Sequence, residues 1–90
     1  QDKNIIRMKY VKSYLLDSLY FYIVGDKQNS ISSIELAEKQ YLELINDKSY
    51  LEENSYKVNR DYVTIQEMKI AVQNGELKTV IQKYLDTLTF

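Results

Sequence analysis

The sequence predicts a small all-α domain, a single bundle of three to four amphipathic helices that spans residues 1–90. Three observations support this fold class. The chain has no proline and only 2 glycines, so little forces its backbone out of regular structure. Its apolar residues recur at steps of three and four. Ser/Thr-x-x-Glu motifs mark helix starts, because each motif satisfies free amides of a first helical turn.

The first predicted helix covers residues 4–24. Its apolar stripe is formed by Ile5, Met8, Val11, Leu15, Leu19, Tyr22 and Ile23. Tyr10, Tyr14 and Phe21 widen this stripe beyond one face, which indicates contacts on two sides of the helix. Gly25 is the predicted C-cap, since glycine accepts the left-handed conformation that ends a helix.

The second predicted helix covers residues 33–56 and begins at a capping box formed by Ser32 and Glu35. Its apolar positions keep helical spacing along Ile34, Ala37, Tyr41, Leu44 and Ile45. The pattern falters near Asp47, where a second capping box at Ser49 offers a new start. We interpret this segment as one helix that kinks near Asp47, with a full break and restart as the alternative.

A loop is predicted over residues 57–63, because polar residues interrupt the apolar period at Asn59, Arg60 and Asp61. Thr64 and Glu67 form a third capping box and open a short helix over residues 65–73. The core positions of this third predicted helix are Ile65, Met68, Ala71 and Val72.

The fourth predicted helix covers residues 76–88 and follows a stop signal at Asn74 and Gly75. It has the clearest apolar side of the chain, formed by Leu77, Val80, Ile81, Tyr84, Leu85 and Leu88. No linker or internal repeat divides the sequence, so one bundle accounts for its whole length.

Composition excludes several classes of function. The chain is 44% hydrophobic, which is typical of a globular protein. Its net charge of -1 argues against dominant electrostatic binding to nucleic acid or to an anionic membrane. No stretch is apolar enough to span a membrane. Cysteine and histidine are absent, which removes disulfides, most zinc sites and the commonest general base. We therefore expect no catalytic residue, no cofactor and no metal site.

The segment 64–88 resembles a DNA-binding helix-turn-helix. In that interpretation Ala71 lets the two helices approach, Gly75 forms the turn and Ile81 holds the second helix against the first. The residues on either side of the glycine are polar where the motif usually has apolar ones, and the second helix is not strongly basic. A plain αα-hairpin is the simpler interpretation, and a nucleic-acid-binding regulator is the alternative function.

Residues 70–80 are similar to the junction between the two helices of an ankyrin repeat. The upstream Thr-Pro-Leu-His turn of that repeat is missing from this chain. A single unit also cannot bury its own faces without neighbouring repeats. We therefore assign no family from this similarity.

Tyrosine is the most unusual component of the chain, with 9 Tyr against 2 Phe and no Trp. A core this small cannot bury every hydroxyl, so several rings must reach the surface. One interpretation of this surplus is the AT-rich codon usage of a low-GC genome, with half-buried rings at the edge of the core. The alternative is a protein-binding surface, because tyrosine is enriched in interface cores. The candidate binding residues are Tyr10, Tyr14 and Phe21. The sequence thus predicts a protein–protein interaction module, a small inhibitor, adaptor or structural component, whose partner is another protein or a second copy.

Charge is unevenly distributed along the chain. Residues 1–12 are basic and residues 35–53 are acidic. This separation indicates either complementary charges on the first and second helices or simply solvated faces. The alternative is that opposite charges steer two copies of the chain, or a partner, into register.

Overall fold

The structure is a computed structural model and describes residues 3–80 and residue 82. Its three long helices are α1 (Lys3–Ile23), α2 (Lys27–Ile45) and α3 (Lys48–Asn74). A further helical turn begins at Leu77 and is described through residue 80. The prediction of a small all-α bundle is therefore confirmed. Most of the fourth predicted helix, residues 76–88, lies outside the described residues.

Helix α2 packs against both α1 and α3. It is antiparallel to each, because Arg7 near the start of α1 pairs with Glu43 near the end of α2, and Glu38 of α2 pairs with Lys69 of α3. All three helices contribute to one apolar core, together with the turn at Leu77. Its fully buried side chains include Val11, Ile34, Ala37, Tyr41, Leu44, Ile65 and Met68.

Helix α1 matches its predicted bounds closely and buries Met8, Val11 and Leu15. Ile5 and Ile23 were expected in the core, and that expectation is wrong because both side chains are exposed. Both residues lie about a quarter turn away from the centre of the buried stripe, so they leave the core while their neighbours enter it.

The start of α2 differs from the prediction. The helix begins at Lys27, with Asp26 as its N-cap accepting a 3.1 Å hydrogen bond from the Asn29 amide. The capping box at Ser32 and Glu35 is therefore wrong, because Ser32 already lies within the helix. Gly25 directly precedes Asp26, and its φ of 85° forms the turn. The connection between α1 and α2 is therefore very short.

The predicted helix over residues 33–56 is divided in the structure. Helix α2 ends at Ile45, and α3 starts at Lys48 with Asp47 as its N-cap. The preferred interpretation of one kinked helix is wrong, and the alternative of a break near Asp47 is confirmed. The kink lies further along, at Asn54 of α3, where φ is -124 and ψ is 19.

The predicted loop over residues 57–63 and the separate short helix over 65–73 are both wrong, since α3 runs without interruption through both segments. The physical reason is Asp61, which is polar but faces the core and is fully buried. Thr64 is not a helix cap either, because its hydroxyl donates a 2.8 Å hydrogen bond to the Arg60 carbonyl inside the helix.

The stop signal at Gly75 is confirmed. Gly75 ends α3 with a φ of 80° and directs its amide to the Ala71 and Val72 carbonyls. The hydroxyl of Tyr22 in α1 donates a 2.5 Å hydrogen bond to the Gly75 carbonyl, and Lys27 donates to the Gln73 carbonyl. These bonds join the end of α3 to the turn between α1 and α2.

The two competing starts of α2 can be tested by capping substitutions. We expect Asp26→Ala to lower the free energy of unfolding by about 1 kcal/mol, because it removes the acceptor of the first helical turn. Asp26→Asn keeps that acceptor and serves as the control. Ser32→Ala should have only a small effect at its exposed mid-helix position. Urea denaturation followed by circular dichroism measures all three; a larger loss for Ser32→Ala than for Asp26→Ala would contradict this start.

Candidate functional site

Two buried serines fix the rotation of α1 against α2. The Ser18 hydroxyl donates a 2.8 Å hydrogen bond to the Ser30 carbonyl, and the Ser30 hydroxyl donates a 2.8 Å bond to the Ser18 carbonyl. Both residues are fully buried. Reciprocal bonds to the backbone require small side chains and a close approach of the two helices. The side of α1 that carries Ser18, Leu15 and Val11 is thereby held inward, and the opposite side is turned to solvent.

The solvent-facing side of α1 carries several large apolar residues. We call this side the outer face of α1, and it consists of Ile6, Tyr10, Ser13, Asp17, Tyr20 and Val24. All six residues are exposed. Its apolar members are more than half exposed, at 55% for Ile6, 54% for Tyr10, 61% for Tyr20 and 56% for Val24. Ser13 and Asp17 separate these apolar residues into two pairs, and contiguous exposed apolar patches are the kind of surface that marks interaction sites.

The three candidate residues lie on or beside this outer face. Tyr10 is exposed, whereas Tyr14 and Phe21 are half-buried at its edge. The rings of Tyr10 and Tyr14 stack with centroids 6.5 Å apart, and the ring of Phe21 meets that of Tyr20 edge to face at 5.7 Å. The candidates therefore divide between two aromatic pairs, one in each half of α1, instead of forming one cluster.

Three members of the outer face escaped the sequence prediction: Ile6, Tyr20 and Val24. Ile6 and Val24 are separated from the nearest tyrosine of the face by four residues, which is the spacing of neighbours on one helical side. That spacing was visible in the sequence. It was obscured because apolar residues occur around most of α1, so the inner and outer stripes could not be told apart without the serine contact.

A groove of about 300 Å³ adjoins Tyr10 between α1 and α2. It is lined by Lys3, Ile6, Arg7, Tyr10, Gln40 and Glu43. Arg7 and Glu43 form a 2.6 Å ion pair across it, which realises the predicted attraction between the basic start of the chain and its acidic middle. The groove can accept an apolar side chain beside a polar rim, and it extends the outer face of α1 towards α2.

A second, more apolar groove of about 380 Å³ lies between the end of α2 and the start of α3. Its lining includes Leu42, Ile45, Leu51, Val58 and Tyr62. Leu42 and Leu51 are partly exposed, at 42% and 40%. This groove has fewer aromatic rings than the outer face of α1, since Tyr62 is the one ring in its lining and is half-buried.

Ionisable side chains gather inside the bundle around Asp61. The Asp61 carboxylate accepts two 3.2 Å hydrogen bonds from Arg60, and the Tyr41 hydroxyl lies 3.5 Å from its other oxygen. Burial and the nearby charge of Lys57 lower the pKa of Lys12, while the attraction of Asp61 opposes that shift. Asp61 and Tyr41 are fully buried where α2 meets α3, so this contact does not face a partner, whereas the Arg60 side chain is half exposed.

Tyr50 completes the buried cluster. Its hydroxyl is buried and makes no hydrogen bond of good geometry with the described residues, although the Tyr41 hydroxyl lies close enough to influence its pKa. Burial raises the pKa of Tyr50 to about 12, and the negative charge of Asp61 adds to the rise, while the Tyr41 hydroxyl moderates it. A buried hydroxyl without a partner costs stability, so the Tyr50 hydroxyl is a weak point of the core.

The described residues offer few groups for metal or cofactor chemistry. Within residues 3–80 and 82, no three acidic side chains converge in a way that could hold a metal ion. None of the helices in the same part of the chain is long and apolar enough to cross a membrane.

The first helix of the proposed helix-turn-helix is longer than the sequence predicted. The long α3, not a short helix from residue 65, leads into the Gly75 turn. Lys69, the cation nearest that turn on α3, is paired with Glu38 at 3.1 Å, and exposed acidic residues stand before and after the turn at Glu67 and Glu76. Ile81 lies outside the described residues.

No protein-family model matches the chain, and neither a curated protein nor a solved structure is found that matches it.

Removal of the hydroxyl should change the free energy of unfolding in opposite directions at Tyr50 and Tyr41. Tyr50→Phe removes a buried hydroxyl that has no partner, so we expect the free energy of unfolding to rise by about 1 kcal/mol. Tyr41→Phe removes the hydroxyl that faces Asp61 and the Val58 carbonyl, so we expect a fall of about 1 kcal/mol. Urea denaturation at pH 7 measures both; destabilisation by Tyr50→Phe comparable with that by Tyr41→Phe would contradict this account of the cluster.

The raised pKa of Tyr50 also predicts a loss of stability at alkaline pH. An unfolded tyrosine ionises near pH 10, whereas folded Tyr50 ionises at about 12. This difference in pKa has no effect on the free energy of unfolding well below pH 10, and it lowers that free energy as pH rises from 10 towards 12. We expect the unfolding free energy of Tyr50→Phe to fall less steeply than that of the wild type between pH 9 and about 11. Thermal melts at a series of pH values measure this difference. An equal fall in melting temperature with pH for the variant and the wild type would contradict the raised pKa of Tyr50.

Proposed function

We propose that the protein is a non-enzymatic interaction module, a small inhibitor, adaptor or structural component, that binds a protein partner through the outer face of α1. The observation that carries this proposal is the exposure of Ile6, Tyr10, Tyr20 and Val24, each more than half exposed on one side of one helix.

A partner that covers these side chains removes their apolar surface from water. Burial of apolar surface contributes about 25 cal/mol per Å². Tyrosine rings add large, rigid contact areas that lose few rotamers on binding, and their hydroxyls can still reach the polar rim of an interface. Tyr10 and Tyr20, each beside a second ring, supply such contacts in both halves of α1.

A protein partner fits this face better than a nucleic acid does. Phosphate binding requires several cations on one surface. None of the six residues of the outer face is a cation and its charged member is Asp17, while the exposed Lys9 lies beside it. The groove beside Tyr10 balances Lys3 and Arg7 with Glu43, so it offers little excess positive charge.

Affinity capture tests the proposal with two matched double variants. Tyr10→Ala/Tyr14→Ala removes one exposed and one half-buried ring from α1, and Tyr56→Ala/Tyr62→Ala removes one exposed and one half-buried ring from α3. If the removed rings are hot spots, their loss weakens the binding free energy by about 1.4 kcal/mol or more, which lowers the affinity for the partner at least tenfold. We expect this loss for the α1 variant, while the α3 variant retains wild-type recovery. Circular dichroism confirms that both variants remain helical.

Two outcomes would remove the proposal. Unchanged recovery by Tyr10→Ala/Tyr14→Ala excludes α1 as the binding side, and loss in the α3 variant alone transfers the site to α3. The nucleic-acid alternative is tested by a gel shift with mixed DNA at low and moderate salt. Binding that weakens steeply with salt would favour that alternative over a protein-binding face.

A further inference from the structure

The six residues of the outer face follow the spacing of a coiled-coil seam. Ile6, Tyr10, Ser13, Asp17, Tyr20 and Val24 are separated by four, three, four, three and four residues. Every one is exposed, including Val24, whose amide continues the helical turn by donating to the Tyr20 carbonyl at 3.1 Å. The seam therefore forms one continuous line on the side of α1 that faces away from the core.

This line has the same chemical order from either end. Ile6 and Val24 are equally far from Leu15, as are Tyr10 and Tyr20, and as are Ser13 and Asp17. The order is aliphatic, aromatic, polar, polar, aromatic, aliphatic. A surface with this symmetry is complementary to itself when a second copy runs in the opposite direction.

We propose that the partner of the outer face is a second copy of this chain, bound as an antiparallel α1–α1 pair about a two-fold axis at the level of Leu15. In this dimer Ile6 of one copy meets Val24 of the other, and Tyr10 meets Tyr20. The proposal rests on the proposed function, since it assigns a partner to the same face of α1.

The polar centre of the seam selects the antiparallel direction. A parallel pair would place Asp17 against the same residue of the second copy, and two carboxylates in one layer repel each other. The antiparallel pair places the Ser13 hydroxyl against the Asp17 carboxylate in both central layers, where a hydroxyl can donate to a carboxylate. Antiparallel helices also oppose their macrodipoles.

The edges of the seam explain the two candidate residues that are only half-buried. Tyr14 occupies the edge position nearest the two-fold axis on the α2 side, so it meets Tyr14 of the second copy. Phe21 lies on the same edge and approaches Arg7 of the second copy, an arrangement suited to a cation–π contact. Tyr10, Tyr14 and Phe21 thus contribute to a single interface, although they form two separate pairs within one chain.

The length of the seam predicts a reversible dimer. From Ile6 to Val24 the helix rises about 27 Å, which gives six layers of contact. A contact of this length lies at the small end of specific protein interfaces, so the population of dimer depends on concentration. Light scattering should show the molar mass rising from 10.7 kDa towards twice that value as the protein is concentrated.

Cysteine cross-linking tests the direction of the pair, and the chain has no native cysteine to interfere. Ser13→Cys and Asp17→Cys change exposed residues that meet across both central layers of the proposed dimer. A disulfide needs Cα atoms within about 7 Å. Residue 13 meets residue 17 of the second copy within that reach, whereas two residues 13 are displaced by about 6 Å along the helix in addition to the distance between helices. We therefore expect the mixture of both variants in a glutathione buffer to form a mixed-chain disulfide several times faster than either variant alone.

The matched control is a mixture of Val63→Cys and Glu67→Cys, which have the same spacing on exposed positions of α3. Faster cross-linking within the single variants than in the mixture would indicate a parallel pair and overturn the proposal. Cross-linking no faster than in the α3 control, with a constant 10.7 kDa molar mass, would also overturn it. The proposed function would survive that second result if Tyr10→Ala/Tyr14→Ala still abolished capture of a different protein.

Discussion

The reciprocal hydrogen bonds between Ser18 and Ser30 set the geometry on which the rest of the molecule depends. Two small side chains that bond each other's backbone carbonyls hold α1 close to α2 and fix its rotation. That rotation places Val11 and Leu15 in the core. The same rotation turns the outer face of α1, with Tyr10 and Tyr20, towards solvent. The exposure of the proposed binding surface is therefore a consequence of a contact buried on the opposite side of the helix.

The number and type of helices were predictable, but several boundaries were not. Apolar periodicity identified α1, and Gly75 correctly marked the end of α3. The errors arose where polar residues have buried roles. Ser30 and Asp61 are fully buried, because Ser18 satisfies the first and Arg60 with Tyr41 the second. A sequence pattern counts such residues as surface or loop, since their partners come from elsewhere in the chain. The N-caps of α2 and α3 are Asp26 and Asp47, which lie upstream of the capping boxes predicted at Ser32 and Ser49. Those serine motifs therefore placed the helix starts too late.

The candidate site was predictable in part, for a related reason. The tyrosine surplus predicted exposed rings, and Tyr10 of α1 is one of them. Composition could not separate exposed rings from Tyr41 and Tyr50, which lie in the core beside Asp61. The aliphatic ends of the outer face, Ile6 and Val24, were indistinguishable from core residues until the rotation of α1 was known. Tertiary contacts, not residue types, decide which side of an amphipathic helix becomes a surface.

We propose that the outer face of α1 binds whichever protein covers it. Fluorine NMR of the protein labelled with 3-fluorotyrosine, with each signal assigned by a Tyr→Phe variant, measures which rings a partner contacts. As the protein is concentrated or a captured partner is added, we expect the Tyr10, Tyr14 and Tyr20 signals to shift together while those of buried Tyr41 and Tyr50 stay fixed. Shifts of the Tyr56 and Tyr62 signals with unchanged α1 signals would show that the partner binds elsewhere.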